Sequence, residues 1–288
     1  IYEGIKGIKR HVKFGISPFG LWRPNFPEGT GGGLDPYEDL GADSLKWLQS
    51  GWVDYFTPQL YWTIDRPKLG FITYYDWWLE QNTQGRHIWP GMNTSKIGDD
   101  RNAGEILHQM SVLRERGLKM TPGHFHWNFG ALHKDIGKIA TYTKERAYTT
   151  HAIPPASPWL SQTPLPAPVV GKITPGGKLT VAWQHSDVRW MSVTRWWVMQ
   201  ALINGKWITV ETYFKDQLSD EWPDNATAVA IRAGGFGWEV GEAGVVADRT
   251  LCPGHESRIR DAPAGSERRQ QDVLHQVVRL VRDAAVAP

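Results

Sequence analysis

The chain has 288 residues, 41% of them hydrophobic, which allows one large domain or two ordinary ones with a sizeable core. Its 32 basic and 30 acidic residues leave a net charge of +2, so it lacks the electrostatic footprint of a nucleic-acid or anionic-membrane binder. The single cysteine, Cys252, excludes an intrachain disulfide and a thiolate zinc site, and no apolar run approaches the roughly 20 residues of a membrane span.

Ile1 to Arg10 places Ile1, Ile5 and Ile8 on one helical face, so the chain opens inside an amphipathic helix. With no initiating Met and no signal-peptide core, this start reads as a piece of a longer protein. Val12 to Ser17 then reads as a short strand halted by Pro18. After the glycine-rich stretch 29–33, Asp35 and Pro36 form an N-cap and first-turn pair for a helix running to about Ser50. Val53 to Gln59 is the next strand, with Leu60, Tyr61 and Trp62 at its far end. A helix over 72–81 and a strand from His87 to Met92 follow. The fourth cycle is a helix over 103–116, ended by Gly117, and a strand over 118–123. A last helix spans about 132–146.

Strands alternating with helices imply a parallel sheet with right-handed crossovers, and four such units make half of an eight-stranded barrel. The absence of a Gly-rich dinucleotide fingerprint argues against a doubly wound open sheet. Prolines 154, 155, 158, 164, 166 and 168 mark residues 151–168 as a linker. Beyond it, residues 179–184, 194–202, 207–211 and 226–233 alternate with period two, and Asn204-Gly205 is a hairpin signal. The expected fold class is therefore α/β. Residues 1–150 form the C-terminal half of a (β/α)8 TIM-like barrel, and residues 169–247 a fibronectin III or immunoglobulin-like β-sandwich. Residues 248–288, arginine-containing and lysine-free, read as a mostly disordered tail with one short helix.

Long ordered segments carry a family resemblance. Phe14-Gly15-Ile16-Ser17-Pro18-Phe19-Gly20-Leu21-Trp22-Arg23, the run from Trp52 to Trp62, and Gly85-Arg86-His87-Ile88-Trp89-Pro90-Gly91 resemble signatures of the glycosyl hydrolase-like 10 family. The bridge from Ala152 to Leu160 and the β domain after it resemble that family's C-terminal part. The resemblance implies a TIM-like barrel acting on polysaccharide, often bacterial cell-envelope glycan, and export of the full-length protein. It further implies an upstream half bearing an acidic strand end of the form Asp-Asp-Tyr-Phe-Tyr-Pro, which this chain lacks.

Barrel enzymes place their sites at the C-terminal strand ends. Those ends supply Trp22 and Arg23, with Ser17 and Phe19 beside them; then Gln59, Tyr61, Trp62 and Asp65. The later units supply Asn93 and Lys96, with Ser95 between; then His124, His126, Trp127 and Asn128. Aromatic faces, amides and imidazoles are groups that hold sugar rings and hydroxyls, and all 16 tryptophans lie between Trp22 and Trp238. Lys96 stands where the family pattern has Arg, keeping the charge and losing the fork. Glycoside hydrolysis normally needs two carboxyl groups, yet Asp65 is the only acid here. The catalytic residues are therefore expected upstream, and the chain alone is expected to be inactive. No cofactor is called for: His124 and His126 share a face, but two imidazoles without an evident third ligand do not make a metal site. Asp54, at a strand start, reads as structural, and Trp77 and Trp78 as packing residues. The expected partner is a polysaccharide or glycan strand, with no nucleic acid and no membrane span. Half a barrel exposes two sheet edges, so self-association through them is also expected. Two other readings stay open: a non-catalytic carbohydrate-binding protein, and an interaction module whose aromatics serve protein contacts.

Overall fold

A computed structural model describes residues 1–116, 123–153, 155–160, 165–235 and 240–247. Residues 118–122 of the strand expected over 118–123, and the tail 248–288 with its expected short helix, lie outside the described residues. The chain divides into two compact units, Ile1–Thr149 and Thr150–Pro288. Among the described residues no helix is long and apolar enough to cross a membrane.

The first unit alternates helices and short strands: α1 (Tyr2–Ile8), β1 (Gly15–Ile16), α2 (Pro36–Leu40), α3 (Ser44–Gln49), β2 (Tyr55–Phe56) and α4 (Phe71–Gln81). Next come β3 (His87–Ile88), β4 (Gly91–Asn93), α5 (Ala103–Arg116), β5 (Phe125–Trp127), α6 (Phe129–His133) and α7 (Ile139–Arg146). The single helix expected from Asp35 to Ser50 is two helices. Asp35 caps α2 through Tyr37 N and Glu38 N as expected, but Gly41 takes a left-handed φ of 62° and ends it, and Asp43 caps α3 anew. The last expected helix is likewise divided, at Asp135, Gly137 and Lys138, which all have positive φ.

β1 pairs in parallel with β2, β2 with β3, and β4 with β5. Single bridges from Phe19 to Gln59 and from Gln59 to Gly91 extend the array, so neighbours in sequence are neighbours in space. Prolines set the strand lengths. Pro18, Pro58 and Pro90 each follow their strand by two residues and bring no N–H to the ladder. Their carbonyls still accept from the next strand: Gln59 N to Pro18 O at 3.0 Å, Gly91 N to Pro58 O at 2.9 Å, and Phe125 N to Pro90 O at 3.0 Å.

Side chains alternate across this array. Phe56, Ile88 and Met92 point to the helices and join Leu48, Phe71, Trp78, Ile106 and Ile139 in one buried cluster. The intervening positions form the opposite face. Tyr55 stacks on Trp89 at 5.4 Å and on Phe125 at 5.9 Å, and His87 on Trp89 at 4.8 Å. Only glycine fits at position 15, where a Cβ would lie 2.1 Å from the Tyr55 ring. At the start of β2, Asp54 is fully buried and accepts from Tyr2 Oη (3.0 Å), Lys6 Nζ (2.5 Å) and Phe14 N (2.7 Å). It ties α1 to the strands, a structural task.

Among its described residues the second unit is built of β-strands with two short 3-10 turns. The strands β6 (Val169–Ile173), β7 (Thr180–Gln184) and β10 (Ser219–Glu221) form one antiparallel sheet in the order β10-β7-β6. The strands β8 (Trp196–Ile203), β9 (Lys206–Phe214), β11 (Ala228–Gly234) and β12 (Val240–Ala247) form the other, ordered β12-β11-β8-β9. Val181 and Trp183 from the first sheet share a core with Trp197, Met199, Val229 and Ile231 from the second, which fits a β-sandwich. Of the two adjacent tryptophans that open β8, Trp197 is fully buried, whereas Trp196 is half-buried over Gly234. Leu165, inside the expected linker, is 3% exposed and belongs to this core. The sequence reading missed β6, β10 and β12, the first and last of them rich in Val and Gly, the middle one polar.

Candidate functional site

The C-terminal ends of the parallel strands bring some of the expected residues together and send others elsewhere. Gln59 lies between Phe19 and Gly91 in the array, and its Nε2 donates to Ser17 O at 3.0 Å. Asn93 faces Trp127 in the β4–β5 register. Asn93 Oδ1 accepts from Ser95 Oγ at 2.6 Å, which leaves the amide N–H groups as donors. The Tyr61 ring lies against Trp127, centroids 6.3 Å apart at 34°. It also covers Gly91, where a Cβ would be only 3.2 Å from Cε1. Burial raises the Tyr61 hydroxyl pKa, so the phenol stays neutral. These groups make a neutral rim of two amides and two rings, with Trp127 55% and Phe19 44% exposed.

Two buried contacts hold the rim, and sequence reasoning missed both. Arg101 Nη2 donates to Tyr61 O at 3.0 Å, and Thr94 Oγ1 donates to Trp127 O at 2.9 Å. Each joins positions more than thirty residues apart, so no local pattern announces it. Phe19 is signalled by its place at the end of β1, beside Trp22.

Other expected contributors are committed to packing or to ion pairs. Trp22 is half-buried, stacks on Trp77 at 6.5 Å and donates to Asp43 Oδ1 at 3.3 Å. Arg23 pairs with Asp35 (3.2 Å) and Glu38 (2.9 Å) and lies over the Tyr37 ring. Trp62 packs on Tyr74 at 5.1 Å. Lys96 is exposed and pairs with Asp99 at 3.1 Å. Asp65 is exposed in the loop after Trp62, and Asn128 is exposed as the residue preceding α6.

His124 and His126 correct the expected rim. Residues 125–127 are the strand itself rather than a loop beyond one, so alternation turns the imidazoles away from Phe125 and Trp127. His126 sits beside Met92, whose side chain is in the helix-side core, and both imidazoles reach Tyr148 after α7. Desolvation lowers His124 to about 3 and His126 to about 4, so both are neutral near pH 7.

Residues 1–106 match the family model described as glycosyl hydrolase-like 10. The chain is also 33% identical over 184 residues to the glycosyl hydrolase YngK of Bacillus subtilis (strain 168). Over residues 1–106 the chain is similar to the glycosyl hydrolase-like 10 family. The YngK match covers 60% of this chain and 36% of that protein. The glycosyl hydrolase DigH of Escherichia coli (strain K12) is 32% identical over 99 residues, 33% of this chain and 23% of DigH. The chain therefore spans about a third or less of the length of these relatives. The family match takes in Phe19, Gln59, Tyr61 and Asn93, while Trp127 lies beyond it.

Proposed function

We propose that this chain supplies the glycan-contacting half of a glycoside hydrolase acting on bacterial cell-envelope or related polysaccharide. A function related to glycosidases follows from the family, and the substrate and the division of labour are our reading. The observation that carries it is the neutral rim of Gln59, Tyr61, Asn93 and Trp127 at adjacent parallel strand ends, with an indole face open to solvent. Indole and phenol rings stack on the C–H faces of sugars while amides bond their hydroxyls.

In this reading the first unit is the last half of a (β/α)8 barrel, supported by parallel strands that run in sequence order with helices packed on one face. The second unit is a fibronectin III-like sandwich, supported by its strand orders β10-β7-β6 and β12-β11-β8-β9. The catalytic carboxylates belong to the part of the relatives that this chain does not span, since the rim offers no carboxylate pair among the described residues. The chain alone binds glycan without cutting it, the full-length protein is exported, and the edges of β1 and β5 pair with the rest of the barrel or with a second copy. The test is to incubate the 288-residue chain with bacterial cell-envelope glycan strands, following both binding and the release of reducing ends. Retention of glycan with no new reducing ends is expected. Turnover equal to that of an intact relative, or absence of binding, overturns the reading.

A further inference from the structure

On the helix side of β5, outside the glycan rim, three heteroatoms converge. His124 Nε2 lies 2.5 Å and His126 Nε2 2.8 Å from the same atom, Tyr148 Oη. The two imidazoles are nearly perpendicular, at 84° with centroids 5.1 Å apart, and the Tyr148 ring is stacked on His124 at 17°. Positions 124 and 126 share a strand face, and Tyr148 is carried in by the turn after α7.

Hydrogen-bond bookkeeping assigns the protons. A phenol has one proton and gives it to only one of two neutral imidazoles, so the other ring must donate. His126 Nδ1 is buried without a partner among the described residues, and a bare lone pair is the cheaper atom to leave there. His126 Nε2–H therefore donates to Tyr148 Oη, whose proton goes to His124 Nε2.

We propose that His124 Nε2, His126 Nε2 and Tyr148 Oη form a binding site for a divalent cation of the copper class, copper(II) above all, with zinc(II) as competitor. Imidazole nitrogens and a phenolate oxygen suit this end of the first-row series, and a site with these three donors leaves a further position open. Among the described residues no group of three His, Cys, Asp or Glu is placed to hold a metal, so Tyr148 is what completes the set. On binding, the phenol proton leaves to solvent and the His126 proton moves from Nε2 to Nδ1. One proton is released per cation and no electron moves. Neighbouring ligands around a metal stand about 3 Å apart, so the phenol must back away by a few tenths of an ångström. Two features oppose binding: the positive charge of Arg114, which acts on both His124 and Tyr148, and the proton left on His126 Nδ1 without a second-shell partner. Both weaken binding relative to a site with a paired second shell and no nearby cation.

The test titrates the whole chain, carrying Cys252→Ser to remove its only thiol, with copper(II) chloride near neutral pH. One equivalent should bind, with release of one proton and a phenolate-to-copper charge-transfer band. Changes to second-shell partners alone cost roughly 10–100-fold in metal affinity, so His124→Ala and His126→Ala should each weaken binding at least ~tenfold. Tyr148→Phe should abolish the band and keep weaker binding. His124→Gln, which retains a hydrogen bond to Tyr148, repeats the test if an alanine variant misfolds. Zinc should displace the copper and extinguish the band only in large excess. Wild-type affinity in the double histidine variant, a band that survives Tyr148→Phe, or no binding at submillimolar copper overturns the proposal.

Discussion

The two units use aromatic side chains in opposite ways. In the second unit the two sheets share one core, in which Trp183 and Trp197 are fully buried. In the first unit one sheet face is covered by helices that bury Phe56 and Trp78, while the other carries Tyr55, Trp89, Phe125 and Trp127. Phe125 remains 44% and Trp127 55% exposed on that second face. A tryptophan between two layers contributes stability. One at a strand end with a free face costs solvation and is explained by a ligand or by a further layer of protein.

That contrast can be broken by experiment. The largest effect belongs to Trp197→Ala, which removes a fully buried indole and its Nε1–H bond to Lys215 O at 3.0 Å. It should cost about 3–5 kcal/mol, and hydrogen-exchange mass spectrometry should confine the loss of protection to the second unit. Asp54→Asn comes next. It leaves Lys6, whose side chain is 11% exposed, facing a neutral amide, and should cost the first unit about 3 kcal/mol in urea denaturation.

Acid separates the units further. Burial lowers His87, His126 and His185 to about 4 and His124 to about 3, from an ordinary 6.5. The unfolded chain takes up protons below about pH 6.5 and the native rings resist, so stability falls as pH drops from 6.5 to 4, and for His124 on to 3. His87, His124 and His126 lie in the first unit and His185 in the second, so the first unit should lose protection earlier on acidification. Equal acid sensitivity would remove this distinction. The smallest effect on stability is expected from Trp127→Ala, within about 0.5 kcal/mol by thermal melting.

The alternation of helices and strands in the first unit was legible because glycine, proline and apolar spacing are local signals. The breaks were less so. Gly41 ends α2 through a positive φ, Asp135, Gly137 and Lys138 take positive φ between α6 and α7, and nothing in the apolar spacing around them marks the breaks. In the candidate site, Gln59, Tyr61, Asn93 and Trp127 could be read from their positions at strand ends. His124 and His126 could not be placed, because the strand register at residues 125–127 decides which face they occupy. Tyr148 was invisible as their partner, since only tertiary packing brings it more than twenty residues back to the strand.

The account depends on Trp127 being a ligand surface rather than packing. Calorimetric titration of wild-type and Trp127→Ala protein with bacterial cell-envelope glycan strands tests this directly. Loss of at least ~tenfold in affinity at an unchanged melting temperature is the predicted result, on the scale of about 1.4 kcal/mol. Undiminished binding by the folded variant would contradict it.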